Sequence, residues 1–443
     1  MFDISANQEY LYSLTVLLEI ASRKLREAAF QKEFFMAISD KYNWIQLSPE
    51  EEGFEYFFGY YDRCAWDMDD KLHLALRVKQ MLRIPERGET ADIGVLDRQG
   101  NFTKLVTTRT WCHQQASMQL FLPRNPGSFV YNDFDEKENK MVARIYTIGK
   151  GVTGRYNRPL YTITPDGKYG ASLDFSRIPR RGYSYADAVL STDRFPRDLD
   201  ADGLWLVDLE TGEDKLIVSY RTMLERHPYA FSCKGQHIWL NHAIFNATSD
   251  RVLWLFRQCE DTSGDKGCWW KTFMYTSDLT GKDAACILPE PYWTGMISHQ
   301  IWGRTRNEIL VDAKWNSKTH SAVVLEDNVN PFISQEISPS HGGMSHMVFS
   351  PDGKTIAADG YPLPCTTADG KTVNCQVLCL IDVESGKVTE IGKFRHRQPE
   401  GTTVDVRCDI HPRWSRDGKT ITVDSIHSGK RAIYMLDVTQ LVK

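Results

Sequence analysis

The sequence predicts an all-β protein, a seven-bladed β-propeller preceded by an N-terminal α-helical extension. Three observations support this fold class. Short runs of Val, Ile, Tyr, Phe and Trp alternate with Gly, Asp and Asn turns from about residue 54 to the end of the chain. Seven segments of this region fit one repeat frame, and most of them are followed by a hairpin whose turn contains Asp and Gly. Repetition of this kind is typical of propeller blades.

The repeat frame is clearest in four segments that superimpose without a gap. Each has a histidine, an aromatic residue three positions later, a small residue, a turn, and an apolar residue ten positions after the histidine. They begin at His242, His299, His346 and His411. Three further segments fit the frame without the histidine, and these begin at Tyr61, Ser117 and Leu160. The seven units predict seven blades.

A closed ring also accounts for the length of the chain. Its 443 residues would suggest about three domains at ~150 residues each. A single propeller can be this long, and closure removes the sheet edges that an open sheet would expose. We therefore expect one propeller domain over residues 51–443.

Residues 1–50 are predicted to form a separate helical extension. Apolar residues recur there at steps of three and four between about residues 6 and 40, and they are Leu11, Leu14, Leu18, Ala21, Leu25 and Ala28. This helix could dock on the propeller or join two subunits in an oligomer. The N-terminus has no basic region followed by a small-residue cleavage site, and Glu19 interrupts the apolar stretch. As written the chain predicts a cytoplasmic protein, and a periplasmic or secreted one if a leader was removed.

Composition and charge exclude several classes of function. Hydrophobic residues make up 42% and charged residues 25%, and the formal net charge is −5. A chain with this balance has no broad basic surface for nucleic acid or anionic membrane. Ten cysteines are too few for a disulfide scaffold of this length, although Cys365 and Cys375 could bridge a hairpin in an oxidising compartment. No phosphate-binding loop is present, so no nucleotide or organic cofactor is expected.

The shared register predicts that the four histidines ring one mouth of the central channel. Neutral imidazoles at that radius can share a divalent metal ion such as Zn, Mn or Ca. Cys408 and Asp409, just before His411, can add ligands. The alternative is that each histidine is a buried structural residue. The register alone leaves both interpretations open.

A denser polar set lies upstream of the histidines. His113, Gln114 and Gln115 precede the second inner strand, and Tyr161 and Arg177 bracket the third unit. A long insertion follows, and it carries Arg180, Arg181, Tyr183 and Tyr185. Such an insertion over a rigid ring is typical of a binding loop. Alternatively, it is a solvated loop whose arginines pair with Asp187, Asp193 or Asp198.

At these residues the chain resembles the seven-bladed propeller polysaccharide lyases. These are the ulvan lyases, the lyases acting on rhamnosyl-glucuronate and, more distantly, the oligogalacturonate lyases. The resemblance rests on the blade starts NHAIFN, SHQIW, SHMVFSPDG and RCDIHPRWSRDGK, and on the spacing of Tyr161 and Arg177. The chain is also similar to bacterial propellers without an assigned activity, which share FFGYYD (Phe57–Asp62) and W-x-x-Q-Q (Trp111–Gln115).

The resemblance implies roles for several of these residues. Arg177 would neutralise a uronate carboxylate, Tyr161 would act as acid and base, and His113 and His242 would act as base or position the substrate. Gln115, Arg180, Arg181 and Tyr185 would bind substrate. A structural metal of some of these lyases would match His299, His346, Cys408 and His411. The lyases have a further histidine about twenty residues before the one matched to His113, and here that stretch, ERGETADIGVLD, has none.

Three functions remain open at this stage. The first is a lyase that cleaves a uronic-acid-containing glycan by β-elimination, with an acidic oligo- or polysaccharide as its partner. The second is a glycoside hydrolase on a rhamnose or uronate linkage, which would need a carboxylate pair such as Asp62 and Asp133. The third is a non-catalytic propeller that binds glycan or protein.

Overall fold

The protein is an all-β propeller in which seven antiparallel sheets surround a central channel. The computed structural model describes residues 42–79, 82–188, 198–260, 270–287, 298–313, 321–327, 333–339, 344–366, 370–396 and 404–442. Within these ranges the strands number β1 to β29 in chain order and form six four-stranded sheets and one five-stranded sheet. The predicted seven-bladed propeller is confirmed.

The first four blades follow one another along the chain, each built from four strands. Blade 1 contains β2 (Phe54–Phe57), β3 (Leu72–Lys79), β4 (Ala91–Asp97) and β5 (Phe102–Thr108). Blade 2 contains β6 (Leu120–Phe121), β7 (Ser128–Asp135), β8 (Lys140–Thr147) and β9 (Gly151–Tyr156). Blade 3 contains β10 (Thr162–Ile163), β11 (Tyr169–Ser172), β12 (Gly203–Asp208) and β13 (Asp214–Ser219). Blade 4 contains β14 (His237–Phe245), β15 (Arg251–Cys259), β16 (Lys271–Asp278) and β17 (Ala285–Ile287).

The last three blades complete the ring. Blade 5 contains β18 (Ser298–Trp302), β19 (Glu308–Ala313), β20 (Ser321–Glu326) and β21 (Ile333–Pro339). Blade 6 contains β22 (Met344–Phe349), β23 (Thr355–Gly360), β24 (Leu363–Thr366), β25 (Thr372–Asp382) and β26 (Val388–Arg395), with β24 pairing along the first part of β25. Blade 7 contains β27 (Arg413–Trp414), β28 (Thr420–Ser425), β29 (Ala432–Asp437) and, on its outer side, β1 (Ile45–Gln46).

The strand β1 closes the ring from the N-terminal side. Ile45 lies opposite Met435 of β29, and the backbone N–H of Leu47 then donates to the carbonyl of Ile433 at 2.8 Å. The last blade is thus completed by a strand from the start of the chain, and its outer edge is paired. This strand lies before residue 51, at which the sequence predicted that the propeller begins. The predicted helix over residues 6–40 lies outside the described residues.

Neighbouring blades pack face to face through apolar strand residues. Between blades 4 and 5, Leu253 and Leu255 pack with Val311 and Val323, and all four are buried. Comparable apolar layers lie between the other blades. Because each layer buries side chains from two sheets, the core is a series of wedges around the channel rather than one central mass.

Helical structure is confined to short connections within the described residues. The α-helix α1 (Tyr220–Glu225) follows blade 3, and its first turn is capped by Ser219, whose hydroxyl accepts from the Thr222 N–H at 3.1 Å. Short 3-10 helices cover Phe175–Arg177, Ala230–Cys233 and Val404–Val406. No helix in the described part of the chain is long and apolar enough to span a membrane.

The two cysteines that the sequence marked as a candidate disulfide are both free thiols in this structure. Cys365 lies on β24 and Cys375 on β25, where Leu363 is the residue directly opposite Cys375. Burial, together with the neighbouring Cys365, raises the pKa of the Cys375 thiol to about 12. The thiol of Cys375 is therefore protonated at neutral pH.

A buried ion pair joins the last blade to the loop that follows β2. The carboxylate of Asp424 pairs with Arg413 at 2.8 Å and also accepts the backbone N–H groups of Phe58 and Gly59, at 3.2 and 3.1 Å. Arg413 donates to the carbonyl of Gly59 at 3.1 Å. We call these contacts the closure clasp. These contacts hold the first blade against the seventh at the inner end of the sheets. At the outer end, the two blades are held by β1, which pairs with β29.

We expect the Asp424→Asn substitution to destabilise the protein by roughly 3–5 kcal/mol, because it leaves the buried Arg413 without a counter-charge. The measurement is urea unfolding followed by circular dichroism. Asp200→Asn is the control, since Asp200 pairs with Arg221 on the surface and both side chains are more than half exposed. That change should alter the free energy of unfolding by less than ~1 kcal/mol. Equal effects of the two substitutions would contradict the importance of the closure clasp.

Candidate active site

The inner strands of blades 4, 5 and 6 are bulged at their histidines. Strand pairing shifts register across residues 241–244, 298–301 and 344–347. His242 and His299 have φ angles of 53° and 67°, in the left-handed region that residues other than glycine seldom adopt. A bulge breaks the two-residue alternation of side chains along a strand, and it can therefore aim a side chain that would otherwise enter the core toward the channel.

The four histidines of the repeat meet at the axis. The ring centroids of His242 and His299 lie 6.3 Å apart, those of His299 and His346 lie 4.1 Å apart, and those of His346 and His411 lie 4.3 Å apart. All four side chains are buried. Residues separated by as much as 169 positions thus form one continuous group of imidazoles.

Two tyrosines from the FGYYD segment fill the space inside this group. The hydroxyl of Tyr60 is 2.8 Å from Nε2 of His242, and the ring of Tyr60 also packs edge-on against His411 with the centroids 5.0 Å apart. The ring of Tyr61 lies 5.1 Å from His346, and its hydroxyl donates to the carbonyl of Gln300 at 3.1 Å. We call Tyr60, Tyr61 and the four histidines the hub cluster.

The position of the FGYYD segment depends on one glycine. Gly59 has a φ of +113°, and a Cβ at this position would lie 2.9 Å from the backbone carbon of Gln115 and 3.0 Å from the backbone nitrogen of Ala116. Any side chain here would force the segment away from the loop before blade 2. The glycine therefore allows Tyr60 to reach the axis while its neighbours keep the closure clasp.

Within the described residues, one group of side chains has the spacing of a metal site. The ligand atoms of His346, Asp409 and His411 all lie within 4.8 Å of one another. Nδ1 of His346 bonds to Asp359 at 2.8 Å, and Nδ1 of His411 bonds to the carbonyl of Gly59 at 2.8 Å. In each case the bonded Nδ1 leaves Nε2 as the ligand, which is the usual arrangement of metal-binding histidines. Nε2 of His411 is buried without a hydrogen-bond partner.

Cys408 and His299, the other two predicted ligands, are outside this group. Burial raises the pKa of the Cys408 thiol to about 12, and the thiol contacts the carbonyl of Asp409 at 3.8 Å. His299 lies beside His346, and its Nδ1 bonds to the hydroxyl of Ser345 at 2.9 Å. The structure therefore places Asp409 rather than Cys408 with the histidines. Burial alone would raise the pKa of Asp409, but Arg407, which bonds to it at 2.9 Å, and the nearby His346 and His396 together outweigh burial and lower the pKa.

Tyr161 and Gln115 form a second polar contact on the channel side of blades 2 and 3. The amide of Gln115 donates to the hydroxyl of Tyr161 at 2.7 Å, and the Tyr161 ring stacks on Phe175 with the centroids 6.1 Å apart. Tyr161 is fully buried, and burial raises the pKa of its phenol far above the usual range. The guanidinium of Arg63 lies 5.6 Å from the centre of the same ring.

Arg177 does not share this contact. Its Nε bonds to Asp202 at 2.5 Å, and its guanidinium lies 4.2 Å from the centre of the Tyr220 ring. The carbonyl of Arg177 bonds to Nε2 of His237 at 2.6 Å. The 3-10 helix at Phe175–Arg177 therefore carries Arg177 toward blade 3 and the start of α1. Its charge is paired with Asp202, and its Nη2 is buried without a hydrogen-bond partner among the described residues. The carboxylate contact of Arg177 stays a prediction.

His113 lies in an aromatic cage. Its ring stacks on Phe57 at 6.1 Å and packs edge-on against Trp111 at 5.2 Å. Burial lowers the pKa of His113 well below the usual range, and the charge of Arg431 lowers it further. Neither ring nitrogen has a hydrogen-bond partner in the described part of the chain. The imidazole is neutral, and its measured contacts are to apolar rings rather than to the hub cluster.

The insertion after blade 3 folds back onto the propeller. Tyr185 is fully buried and packs edge-on against Phe175 at 5.2 Å, so it belongs to the core. Arg180 bonds to the carbonyl of Pro85. Arg181 lies 3.9 Å from Asp405 and 5.2 Å from the centre of the Trp270 ring.

The carboxylates proposed as partners of these arginines are placed differently. Asp187 pairs with Arg109 at 2.7 Å, and Asp193 lies outside the described residues. Of the carboxylates considered for hydrolysis, Asp62 pairs with Arg63 at 2.9 Å. Asp133 pairs with Arg144 at 2.8 Å and accepts from the Arg109 N–H, so it stabilises blade 2.

Several polar residues of the channel were not singled out from the sequence. They are Tyr60, Tyr61, Arg63, Arg257, Gln300, Asp359 and Arg407. One available signal was the doubled tyrosine of FGYYD. Another was Arg257, a charged residue within the strand RVLWLFRQC, all nine residues of which are buried. A charge in such a strand seldom lacks a partner or a function.

No protein-family model matches the sequence, and no curated protein matches it. Two solved structures are similar in fold over most of this chain. An oligogalacturonate lyase from Vibrio parahaemolyticus matches with a TM-score of 0.58 and 13% identity, over 92% of this chain and 97% of that one. An oligogalacturonate lyase in complex with manganese matches with a TM-score of 0.57 and 13% identity, over 91% and 96%. At this identity the likeness shows a shared fold, and the resemblance to ulvan and rhamnosyl-glucuronate lyases stays a prediction.

Proposed function

We propose that the protein is a carbohydrate-active enzyme that cleaves a uronate-containing glycan by β-elimination. The observation that carries the proposal is the Tyr60–His242 hydrogen bond at the axis, in a buried region that also holds a second phenol and two arginines. Elimination needs a proton acceptor, a proton donor and a cation at the carboxylate, and this region offers all three kinds of group. The fold likeness to two oligogalacturonate lyases supports an acidic oligo- or polysaccharide as substrate.

In this mechanism His242 accepts the proton from C5 of the uronate. Burial lowers the pKa of its imidazole well below the usual range, and the charge of Arg257 lowers it further, so the ring is neutral. Nδ1 of His242 is buried without a hydrogen-bond partner among the described residues. In the tautomer whose Nε2–H donates to the Tyr60 oxygen, that Nδ1 carries the free lone pair. Tyr60 is then the residue that positions the base.

Tyr161 donates the proton to the leaving oxygen. The electron pair of the C5–H bond forms the C4–C5 double bond, the bond from C4 to oxygen breaks, and the phenol proton passes to the departing sugar. The raised pKa of Tyr161 keeps the phenol protonated until this step. Gln115 holds its hydroxyl in place through the 2.7 Å hydrogen bond. Proton exchange with solvent then restores both groups.

A divalent metal is the proposed cofactor, held by His346, Asp409 and His411. Two imidazoles and a carboxylate suit Mn or Zn better than Ca, which prefers oxygen ligands. Among the described residues these three side chains have the required spacing, and Asp359 and the Gly59 carbonyl orient the two rings. When bound, such an ion would supply positive charge that stabilises an anionic sugar group.

We expect the protein to release unsaturated uronate product, detected as a rise in ultraviolet absorbance, from galacturonate-, ulvan- or rhamnosyl-glucuronate-type glycans. Tyr161→Phe and His242→Gln should lower kcat by roughly 10²- to 10⁴-fold, because each removes one proton-transfer group. Tyr434→Phe is the matched control, since this buried phenol bonds to Gln46 at the outer edge of blade 7. It should retain the activity of the native protein.

Two other outcomes would overturn the lyase proposal. Release of reducing sugar without an absorbance change would identify a hydrolase. Glycan binding without turnover across the whole panel would identify a non-catalytic binding protein. Full lyase activity of both Tyr161→Phe and His242→Gln would support the proposed reaction but contradict the catalytic roles assigned to these residues.

For the metal, we expect about one equivalent of Mn to remain with the protein after loading and desalting, as measured by mass spectrometry of the metal. Asp409→Asn and His346→Ala should lose most of it, because each removes one of three ligands. His427→Gln is the control, since His427 is a partly buried histidine that bonds to Ser425 away from the hub cluster. Retention of metal by Asp409→Asn, or no stoichiometric metal in the native protein, would exclude this site.

A further inference from the structure

Arg257 is a buried cation without an acidic partner among the described residues. Its side chain lies on β15, and the residue is only 4% exposed. The other arginine of that strand, Arg251, pairs with both Asp283 and Asp327. Arg257 makes no ion pair with any described acidic residue, and its Nε is buried without a hydrogen-bond partner. Leaving a guanidinium buried and unpaired costs several kcal/mol, so this position calls for an anion that no described acidic residue supplies.

Strand pairing places Arg257 beside the strand that carries the proposed base, because it lies opposite Trp239 of β14, three residues before His242. Its guanidinium lies 5.4 Å from the centre of the Trp270 ring and 5.8 Å from that of Tyr183. Its positive charge lowers the pKa of Tyr161, which burial raises. It also lowers the pKa of His242, in the same direction as burial. Tyr183 and Trp270 pack against the same hydrophobic cluster that contains Tyr161, so Arg257 lies near both the proposed acid and the strand of the proposed base.

Arg63 acts on the same two groups from blade 1. Its Nε bonds to Asp62 at 2.9 Å, and its guanidinium lies 5.6 Å from the centre of the Tyr161 ring. Nη2 of Arg63 is buried and has no hydrogen-bond partner within the described part of the chain. Its charge also lowers the pKa of Tyr161 and of His242. One N–H donor is thus left over on each of two arginines that flank the proposed chemistry.

We propose that Arg257, assisted by Nη2 of Arg63, binds the carboxylate of the uronate substrate. This rests on the proposed function and assigns to these two residues the role that the sequence had suggested for Arg177. Arg177, like Arg63, pairs with one aspartate and has a buried Nη2 without a hydrogen-bond partner among the described residues, whereas Arg257 has no acidic partner among them. The carboxylate would receive N–H donors from two guanidinium groups, which form strong charge-assisted hydrogen bonds with such anions.

The charge balance favours a singly charged ligand. Among the described residues, Asp62 offsets the charge of Arg63 and His242 is neutral, so Arg257 leaves a net charge of about one to be balanced. A carboxylate carries one negative charge and is planar, which matches a guanidinium edge. A phosphate monoester carries nearly two at neutral pH and would leave one uncompensated. The free acid form of a uronate is therefore the form that this site selects.

The test compares binding of free and methyl-esterified glycans by calorimetry. The probes are a galacturonate and a glucuronate tetrasaccharide, each offered as the free acid and as the full methyl ester. We expect the native protein to prefer the free acid of at least one probe by roughly 10- to 100-fold, the range for a hydrogen bond between charged groups. Arg257→Gln should abolish this preference, and Arg257→Lys, which keeps the charge but not the planar group, should retain part of it.

Arg177→Gln is the competing variant: the proposal expects it to keep the preference, whereas the role that the family resemblance implies for Arg177 would make it lose the preference. Circular dichroism and thermal melting establish that each variant is folded. The proposal is wrong if Arg257→Gln retains the preference, if Arg177→Gln loses it, or if the native protein binds acid and ester equally. Binding needs no turnover, so a preference that depends on Arg257 in a protein without lyase activity would refute the reaction and keep the site. Lyase activity without such a preference would support the reaction and refute the carboxylate site.

Discussion

The closure clasp is the contact on which the arrangement of the channel depends. Asp424 and Arg413 of blade 7 hold the backbone of Phe58 and Gly59, and Tyr60 comes directly after them. The carbonyl of Gly59 accepts from Arg413 and also from Nδ1 of His411. One carbonyl therefore serves both the closure of the ring and the orientation of a proposed metal ligand. Closing the propeller and assembling the hub cluster are, in this structure, the same set of contacts.

Burial sets the chemical state of the groups in the channel. The pKa of His242, His299 and His411 is lowered well below the usual range, with burial as the largest cause. The pKa of Tyr60 and of Tyr161 is raised for the same reason. Neutral imidazoles and protonated phenols can stand side by side without repulsion, which allows so many titratable groups to pack at one axis. They also begin in the forms that a proton acceptor and a proton donor require.

The sequence predicted the fold well because propeller blades repeat. A histidine at one position of the frame recurs at the same radius, so the meeting of His242, His299, His346 and His411 followed from their register alone. Groups outside the frame were not predictable in this way. Tyr60 lies in a connection before the frame of the first unit, and nothing in its spacing shows that Gly59 lets it reach the axis.

The direction in which a side chain points was harder to predict from the sequence than its position in the repeat. Arg177 has the expected spacing from Tyr161, yet the 3-10 helix turns it to Asp202, and spacing carries no information on that turn. Cys408 and Asp409 are adjacent, and only the backbone course before β27 decides which of them joins the histidines. Arg257 lies in a strand whose sequence is typical of the hydrophobic core. That it has no acidic partner among the described residues could be recognised only once its neighbours were known.

The charge of Arg257, which has no acidic partner among the described residues, affects both substrate binding and the pKa of the proposed base, His242. That charge is one of the causes that lower the pKa of His242, after burial itself. An anion bound at Arg257 offsets the charge, and the imidazolium that forms on proton transfer then meets less repulsion. The carboxylate that makes the C5 proton acidic would thus also make His242 a better acceptor. A neutral ester or an uncharged sugar in the same position would bring neither effect, so selection of the acid would act on the rate as well as on binding.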